Sequence, residues 1–303
     1  MASFERKHFP FSFAAPDAED LVQGIKRIFC PVCGKNSEVE TYGENRRESG
    51  KCKECGAWNR QRLMAWALMR VIRRSTGVHV PHLSEGRLAS ELQVYNAEWF
   101  GAIHETLRRL KGYHWSRYAG EEYNSGDVVD GHPHQDLTNT SFDDDQLDIV
   151  MTADVLEHIP DPYLAHREIH RVLRPGGVHV FTVPSNLNSP IDDQRAAVID
   201  DRVVQLSPPS WHGKEVDSNL VYNVFGLEMI QHLWVLGFSV EFFEVSRPDM
   251  GIIGPRSFVF MAEKHHERID RDVPCGLRAR CIESWDAVTT RLAEEVDSVR
   301  KRN

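Results

Sequence analysis

Four cysteines near the start of the chain and a set of carboxylates and histidines further on are the residues whose types and spacing can do chemistry. Cys30-Pro31-Val32-Cys33-Gly34 is followed, after eighteen intervening residues, by Cys52-Lys53-Glu54-Cys55-Gly56. Two cysteines three apart on a tight turn present both sulfurs to one metal ion, and two such turns close a tetrahedron. This is the spacing of a four-cysteine zinc ribbon. The glycine behind each second cysteine lets backbone amides approach the thiolates. Four thiolates leave no open coordination position, so the expected role is structural. A disulfide pair and a redox C-x-x-C are the alternatives, but neither explains two knuckles in a chain without a secretion signal. Cys275 and Cys281 have no partner knuckle and read as free thiols.

The second group is Asp154, Glu157 and His158 in Asp154-Val155-Leu156-Glu157-His158-Ile159-Pro160-Asp161, with His212 in Pro208-Pro209-Ser210-Trp211-His212-Gly213. Imidazole near its neutral pKa suits a general base, and carboxylate oxygens suit hard cations. The flanking pattern says what positions them. Leu147 to Thr152 is a short apolar run suited to a strand buried on both faces. Asp161-Pro162 is a helix start, with an N-cap carboxylate and proline at the first helical position. Tyr163, Leu164, Ile169, Val172 and Leu173 repeat at roughly helical spacing, and Pro175-Gly176-Gly177 predicts a left-handed glycine stop. Val178 to Val183 supplies the next strand. Asp154 to His158 then fall at the carboxyl end of a parallel strand, where such sheets bind ligands.

Three ordered blocks carry a resemblance. Phe142-Asp143-Asp144-Asp145-Gln146-Leu147-Asp148, the Asp154–Asp161 loop, and Arg171-Val172-Leu173-Arg174-Pro175-Gly176-Gly177 resemble the class I S-adenosylmethionine-dependent methyltransferases, in particular the type 11 group. The resemblance covers roughly Leu92 to Lys264. It implies a doubly wound, seven-stranded methyltransferase (Rossmann-like) α/β sheet behind a small N-terminal zinc-ribbon module, with S-adenosyl-L-methionine as cofactor. The first strand is expected at Leu92-Gln93-Val94-Tyr95 and the first crossover helix at Phe100 to Leu110. Between them, Asn96-Ala97-Glu98-Trp99-Phe100-Gly101 stands where the family has G-x-G-x-G. It is similar to the A-P-E turn of relatives that also carry a front ribbon. The implied cofactor contacts are Asn96, Glu98 (toward the methionine ammonium), Gly101, Glu121, Asp136, Leu137 and Asp154.

Arg117 stands where the family places the ribose-binding acid after the second strand, Tyr113 to Tyr118. Either Glu121 replaces that acid or ribose recognition is lost. Asp136-Leu137 resembles the motif that meets the adenine amino group, and a solvated turn aspartate is the alternative. In the ubiquinone-type O-methyltransferases of the same superfamily an acid-x-x-Glu-His loop is linked to a divalent metal. The resemblance thus offers a metal at Asp154/Glu157/His158, or Glu157 and His158 as base or as a loop brace. His212 lies in the insertion that commonly forms the acceptor lid, with Asn186, Asn188 and Tyr222 as pocket polar groups.

These readings divide the chain into an N-terminal arm (1–24), a zinc ribbon (25–60), a linker helix (61–90), a methyltransferase domain (91–264) and a C-terminal helical tail (265–303). Asn59 to Ile72 reads as a helix with a broad apolar face, packed on the main core. A helix from Gly226 to Gly237, a closing strand pair at Phe238–Phe243 and Phe258–Ala262, and a last amphipathic helix from Ile282 to Lys301 complete the expectation. The 303 residues are 41% hydrophobic and 27% charged, the composition of an ordinary globular protein. No apolar run approaches the ~20 residues of a membrane span, so cytoplasmic residence and no membrane partner are expected.

Charge is unevenly distributed. Residues 26–74 hold twelve Lys or Arg against five Glu, a net +7 that leaves −16 to the rest of a chain of net charge −9. The basic segment either faces an anionic partner or packs on the acidic remainder. The family implies methyl transfer, with oxygen of a small-molecule or glycan-type acceptor as first choice. An RNA methyltransferase using the basic module and a non-catalytic scaffold that lost the cofactor are the rivals. Sequence leaves the oligomeric state open.

Overall fold

The computed structural model describes residues 4–7, 25–85, 92–212, 219–254 and 258–265. The elements that matter to the site are β1 (Phe4–Lys7), β2 (Arg27–Phe29), β3 (Asn36–Glu38), α1 (Asn59–Thr76), β4 (Val94–Asn96), α2 (Gly101–Leu107), β5 (Tyr113–Trp115), β6 (Leu147–Ala153), α3 (Pro162–Val172), β7 (Leu173–Thr182), α4 (Leu227–Leu236), β8 (Phe238–Ser246) and β9 (Phe258–Lys264). Seven strands form one mixed sheet in the order β1-β8-β9-β7-β6-β4-β5. The four strands β5, β4, β6 and β7 run parallel; β9, β8 and β1 are antiparallel to their neighbours. The strand number matches the expectation, but its make-up differs. The seventh strand comes from the N-terminal arm, at the opposite edge from β5. The Cys275/Cys281 thiols and the expected 282–301 helix lie outside the described residues.

Every residue of β6 is buried, because alternate side chains enter different layers. Ile149 and Met151 join α1, α2 and the ribbon on one face; Leu147 and Val150 join α3, α4, Phe181 and Phe260 on the other. A three-layer sandwich results. α1 is buried almost all round, with Trp66 edge-on to Phe243 at 5.4 Å between ring centroids. The helix expected from Asn59 to Ile72 is therefore a layer of the core, as expected, and runs on to Thr76. Ribbon, α1 and sheet lie in one unit, Met1–His265.

Asp161 caps α3 as expected, accepting from the Tyr163 and Leu164 amides, with Pro162 in the first turn. The end of α3 differs from the expectation. Leu173 leaves the helix in extended backbone and already pairs with Leu147, while Val178 pairs with Ile149. Arg174-Pro175-Gly176-Gly177 is the excursion between these two pairings, so the glycines serve a bulge and not a helix cap. A Cβ on Gly177 would sit 2.8 Å from the Arg174 carbonyl and 3.1 Å from those of Leu147 and Asp148. Gly237, in contrast, ends α4 with the expected left-handed turn, at φ 99°.

Candidate active site

The ribbon comes first, because it reaches into the site. Gly34 and Gly56 both have φ near +73°, and their amides donate to the Cys30 and Cys52 carbonyls. That matched pair of turns brings the four sulfurs together. Cys30 and Cys55 Sγ are 3.7 Å apart and Cys33 and Cys52 Sγ 4.0 Å, with all four ligand atoms within 4.8 Å of one another. A tetrahedron of thiolates around zinc at about 2.3 Å has edges of about 3.8 Å. No disulfide joins any two of them. The donor set and spacing fit a zinc ion.

The first turn of α1 fastens the ribbon to the sheet. Arg62 is wholly buried and donates to the carbonyls of Gly50 and Ala57 in the ribbon and Gly251 in the body. Asn59 donates to the Ile253 carbonyl and accepts from the Ile253 amide. Gln61 approaches Gly101 so closely that a Cβ there would lie 2.2 Å from Nε2; φ at Gly101 is +89°. Gly101 is thus required by its left-handed backbone, since the Gln61 side chain could move aside.

Arg60, on the same turn, enters the crevice at the carboxyl ends of β4 and β6. Its guanidinium contacts Glu48 (2.5 Å), Glu98 (3.4 Å) and Asp154 (3.4 Å) and donates to the Ala153 carbonyl at 3.0 Å. Arg47, from the ribbon loop, donates to Asp154 Oδ1 at 2.8 Å, and the Thr182 hydroxyl donates to the same atom at 2.9 Å. Asp154 turns the chain off β6 with φ +53°, a conformation aspartate tolerates better than most residues. Burial would raise its carboxyl pKa, but Arg60 and Arg47 hold it below the ordinary range. Burial wins at Glu98, whose pKa is raised despite Arg60.

Glu98 and Asp154 therefore already face a cation belonging to the protein. A contact of Glu98 with the methionine ammonium, as expected from the sequence, would share this carboxylate with Arg60. Asn96 is likewise engaged, donating to the Tyr113 hydroxyl and accepting from the Glu98 amide. Leu137 is part of the core under α3. Asp136 Oδ1 accepts from the Thr138 amide and hydroxyl, a local turn that leaves Oδ2 for a ligand. Arg117 lies over the Trp99 ring at 5.7 Å, and Trp99 packs on His132 at 4.8 Å. An aromatic and guanidinium wall thus stands where the family has a ribose-binding acid. Glu121 is exposed and close by: its charge, after burial, raises the pKa of Tyr222.

The other end of the crevice is covered by the insertion after β7. Residues Trp211–His212 pair with Asn219–Leu220, and the Tyr222 amide donates to the Glu157 carbonyl. His158 Nδ1 lies 2.7 Å from the Leu220 carbonyl, so this histidine does brace the loop. His212 Nδ1 is 3.2 Å from Glu157 Oε1. That contact raises the His212 pKa, against burial that lowers it. Glu157, His158 and His212 thus meet as a cluster. Asp154 does not join it, so the Asp154/Glu157/His158 metal set is replaced by one containing His212. Asn186 accepts from the Asn188 amide in a turn under this lid. Arg47 and Arg60 are the crevice residues that sequence reasoning missed; the signal for Arg60 was the basic start of an apolar helix, and Arg47 on the ribbon loop had none.

Residues 115–181 match the family model described as a methyltransferase domain. Two demethylmenaquinone methyltransferases, from two strains of Staphylococcus epidermidis, are 39% identical to the chain over 61 residues, which is 20% of this chain and 25% of theirs. The chain thus spans a quarter of the length of these curated relatives. A SAM-dependent methyltransferase from Methanosarcina mazei aligns at 15% identity over 60% of this chain and 97% of its own, with a TM-score of 0.36. The 1,6-didemethyltoxoflavin-N1-methyltransferase of Burkholderia thailandensis, with 1,6-didemethyltoxoflavin and S-adenosylhomocysteine bound, aligns at 16% identity over 66% and 80%, with a TM-score of 0.34.

The matched segment runs from the end of β5 through β6, the Asp154–Asp161 loop and α3 into β7. The match over that segment supports a methyltransferase domain within this sheet. That domain carries an N-terminal module whose four cysteines fit zinc. Among the described residues no helix is long and apolar enough to cross a membrane.

Proposed function

We propose that the chain transfers the methyl group of S-adenosylmethionine to an oxygen of a small-molecule or glycan-type acceptor, and that the ribbon holds a structural zinc ion. The observation that carries the reading is the convergence of the matched methyltransferase segment on a crevice with one unsatisfied buried donor. Arg47 Nε has no hydrogen-bond partner. A carboxylate suits that donor, so the amino-acid end of the cofactor would be met by its carboxylate on Arg47. The exposed rings of Trp99 and Tyr118, with the half-buried His132 behind Trp99, and the free Oδ2 of Asp136 would take the nucleoside.

When bound, S-adenosylmethionine supplies an electrophilic methyl group: an acceptor oxygen bonds the carbon, the carbon–sulfur electron pair stays on sulfur, and the acceptor's proton leaves. The chain's own part is alignment and exclusion of water, which together can supply much of the acceleration. In this reading the insertion covers the crevice and sets His212 beside Glu157 and His158 of the loop after β6, where they would receive the acceptor's proton.

Basic residues of the ribbon favour this reading over an RNA substrate. Arg47, Arg60, Arg62 and Arg74 pair inward with acids or carbonyls of the body. Lys35 and Lys53 are matched by Glu54 and Glu38. Carboxylates of the body thus take up part of the +7, at Arg47, Arg60 and Arg74. Isothermal titration of the full chain with S-adenosylhomocysteine is expected to give one site with a micromolar Kd, about −8 kcal/mol. Absence of both heat and a thermal shift would leave a scaffold that kept the fold and lost the cofactor.

A further inference from the structure

The second cysteine knuckle and the start of α2 enclose a cavity of about 290 Å³ with a mainly apolar lining, and none of the crevice acids lines it. Successive helix residues point about 100° apart, so the first turn of α1 can serve two spaces. Arg60 enters the crevice, whereas Gln61 faces this cavity and lies against Gly101. At Gly56 a Cβ would meet nothing within 4 Å, so open space continues behind the knuckle. A volume at the small end of ligand pockets suits a molecule of one or two rings.

The walls offer aromatic faces and donors. Trp58 comes from the ribbon side and the half-exposed Phe100 from the α2 side. The Trp58 indole N–H is buried and has no hydrogen-bond partner. An indole nitrogen can only donate, and leaving such a donor unmet is costly. Lys51 sets its Nζ 5.6 Å from the centroid of the same ring. Its neighbours Lys35 and Lys53 pair with Glu54 and Glu38, but among the described residues Lys51 has no carboxylate. Glu105, an acid on the lining, is exposed and held by Arg108 at 3.0 Å. The Cys55 sulfur also lines the cavity, and in a zinc-bound ribbon its charge is shared with the ion.

We propose that this cavity binds a small planar aromatic carboxylate, with its ring against Trp58 and Phe100 and its oxygens on the Trp58 N–H and the Lys51 ammonium. Each part of the ligand answers one observation. A cationic ring would meet Lys51, an uncharged ring would leave that ammonium unmatched, and an aliphatic anion would gain little from the two aromatic faces. Such a ligand touches both the ribbon and the first turn of α2, so it fastens the module to the domain. The site stands apart from the methyl-transfer reading and does not depend on it.

The test is a ligand-detected NMR titration of the zinc-loaded full chain with cinnamate, and with cinnamyl alcohol as the same framework without charge. Cinnamate is expected to bind with a Kd of about 0.1–1 mM and the alcohol at least tenfold more weakly. Lys51 is exposed, so Lys51→Gln is expected to melt where wild type does and to bind cinnamate at least tenfold more weakly. Trp58→Phe keeps a ring and removes the donor, and a loss of about fivefold is expected. Wild-type affinity in Lys51→Gln, or equal binding of acid and alcohol, overturns the proposal. Saturating S-adenosylhomocysteine is expected to leave cinnamate bound; displacement would put the ring in the cofactor crevice and overturn a separate site. Cinnamate binding by a protein that takes up no S-adenosylhomocysteine would count against methyl transfer alone.

Discussion

At the residue scale, buried histidines outside the site make stability depend on pH. His166 is wholly buried and neither ring nitrogen has a partner. Burial, with the nearby His232 charge second, brings its pKa down to about 3. His179, packed against it at 5.6 Å, is held well below its ordinary value by burial. An unfolded histidine titrates near 6.5, so in acid the unfolded chain takes up protons that these native rings refuse. Their contribution is therefore complete above about pH 6.5 and is lost as pH falls toward the folded pKa. The slope is about 1.4 kcal/mol per pH unit for each ring. Between pH 6.5 and 4.5, His166 alone accounts for about 2 kcal/mol. His166→Leu is expected to flatten the acid limb by about one proton, read from urea melts at several pH values. An unchanged slope would show that His166 protonates in the folded state.

At the element scale the β7 bulge offers the sharpest test, since its glycines serve a different purpose from the one their motif implies. Gly177→Ala would push a methyl group against three backbone carbonyls, and backbone cannot rotate away as a side chain can. A loss of about 1–3 kcal/mol is expected, the usual range for overpacking. A variant as stable as wild type would mean that the β6–β7 pairing shifts freely. Elements whose causes are local were legible in the sequence: the Asp161 cap, the α4 glycine stop and the two cysteine knuckles. The two-faced burial of β6 followed from its short apolar run, Ile149-Val150-Met151. The bulge was not legible, because Pro-Gly-Gly after a helix satisfies a cap and a bulge equally well. Only the pairing of Leu173 with Leu147 decides between them. The crevice was half legible. Glu157, His158 and His212 stand out by type, whereas the capture of Glu98 and Asp154 by Arg60 joins residues 38 and 94 positions apart.

At the scale of the whole molecule, the ribbon and the crevice are mechanically one object. The sulfurs of Cys52 and Cys55 fix the turn that leads through Ala57 into Asn59, Arg60, Gln61 and Arg62. That turn carries the bonds to Gly251, Ile253, Gly101 and the crevice acids. Arg47, the donor left open for an anionic ligand, hangs on the ribbon loop just before Cys52. Part of the uneven charge of the sequence is met by this contact, as Arg47 and Arg60 of the basic front pair with Glu98 and Asp154 of the acidic body. Removing one partner of such a pair costs about 3–5 kcal/mol. Loosening the ribbon should therefore damage ligand binding at a distance from the metal. Cys33→Ser, which opens the tetrahedron on its half-buried side, is expected to weaken S-adenosylhomocysteine binding at least tenfold, about 1.4 kcal/mol. Arg47→Ala should weaken it as far with the ribbon zinc still in place. If Cys33→Ser lost its ribbon zinc, stayed folded and bound the cofactor product as tightly as wild type, the ribbon would be a passenger on the domain and Arg47 no part of its site.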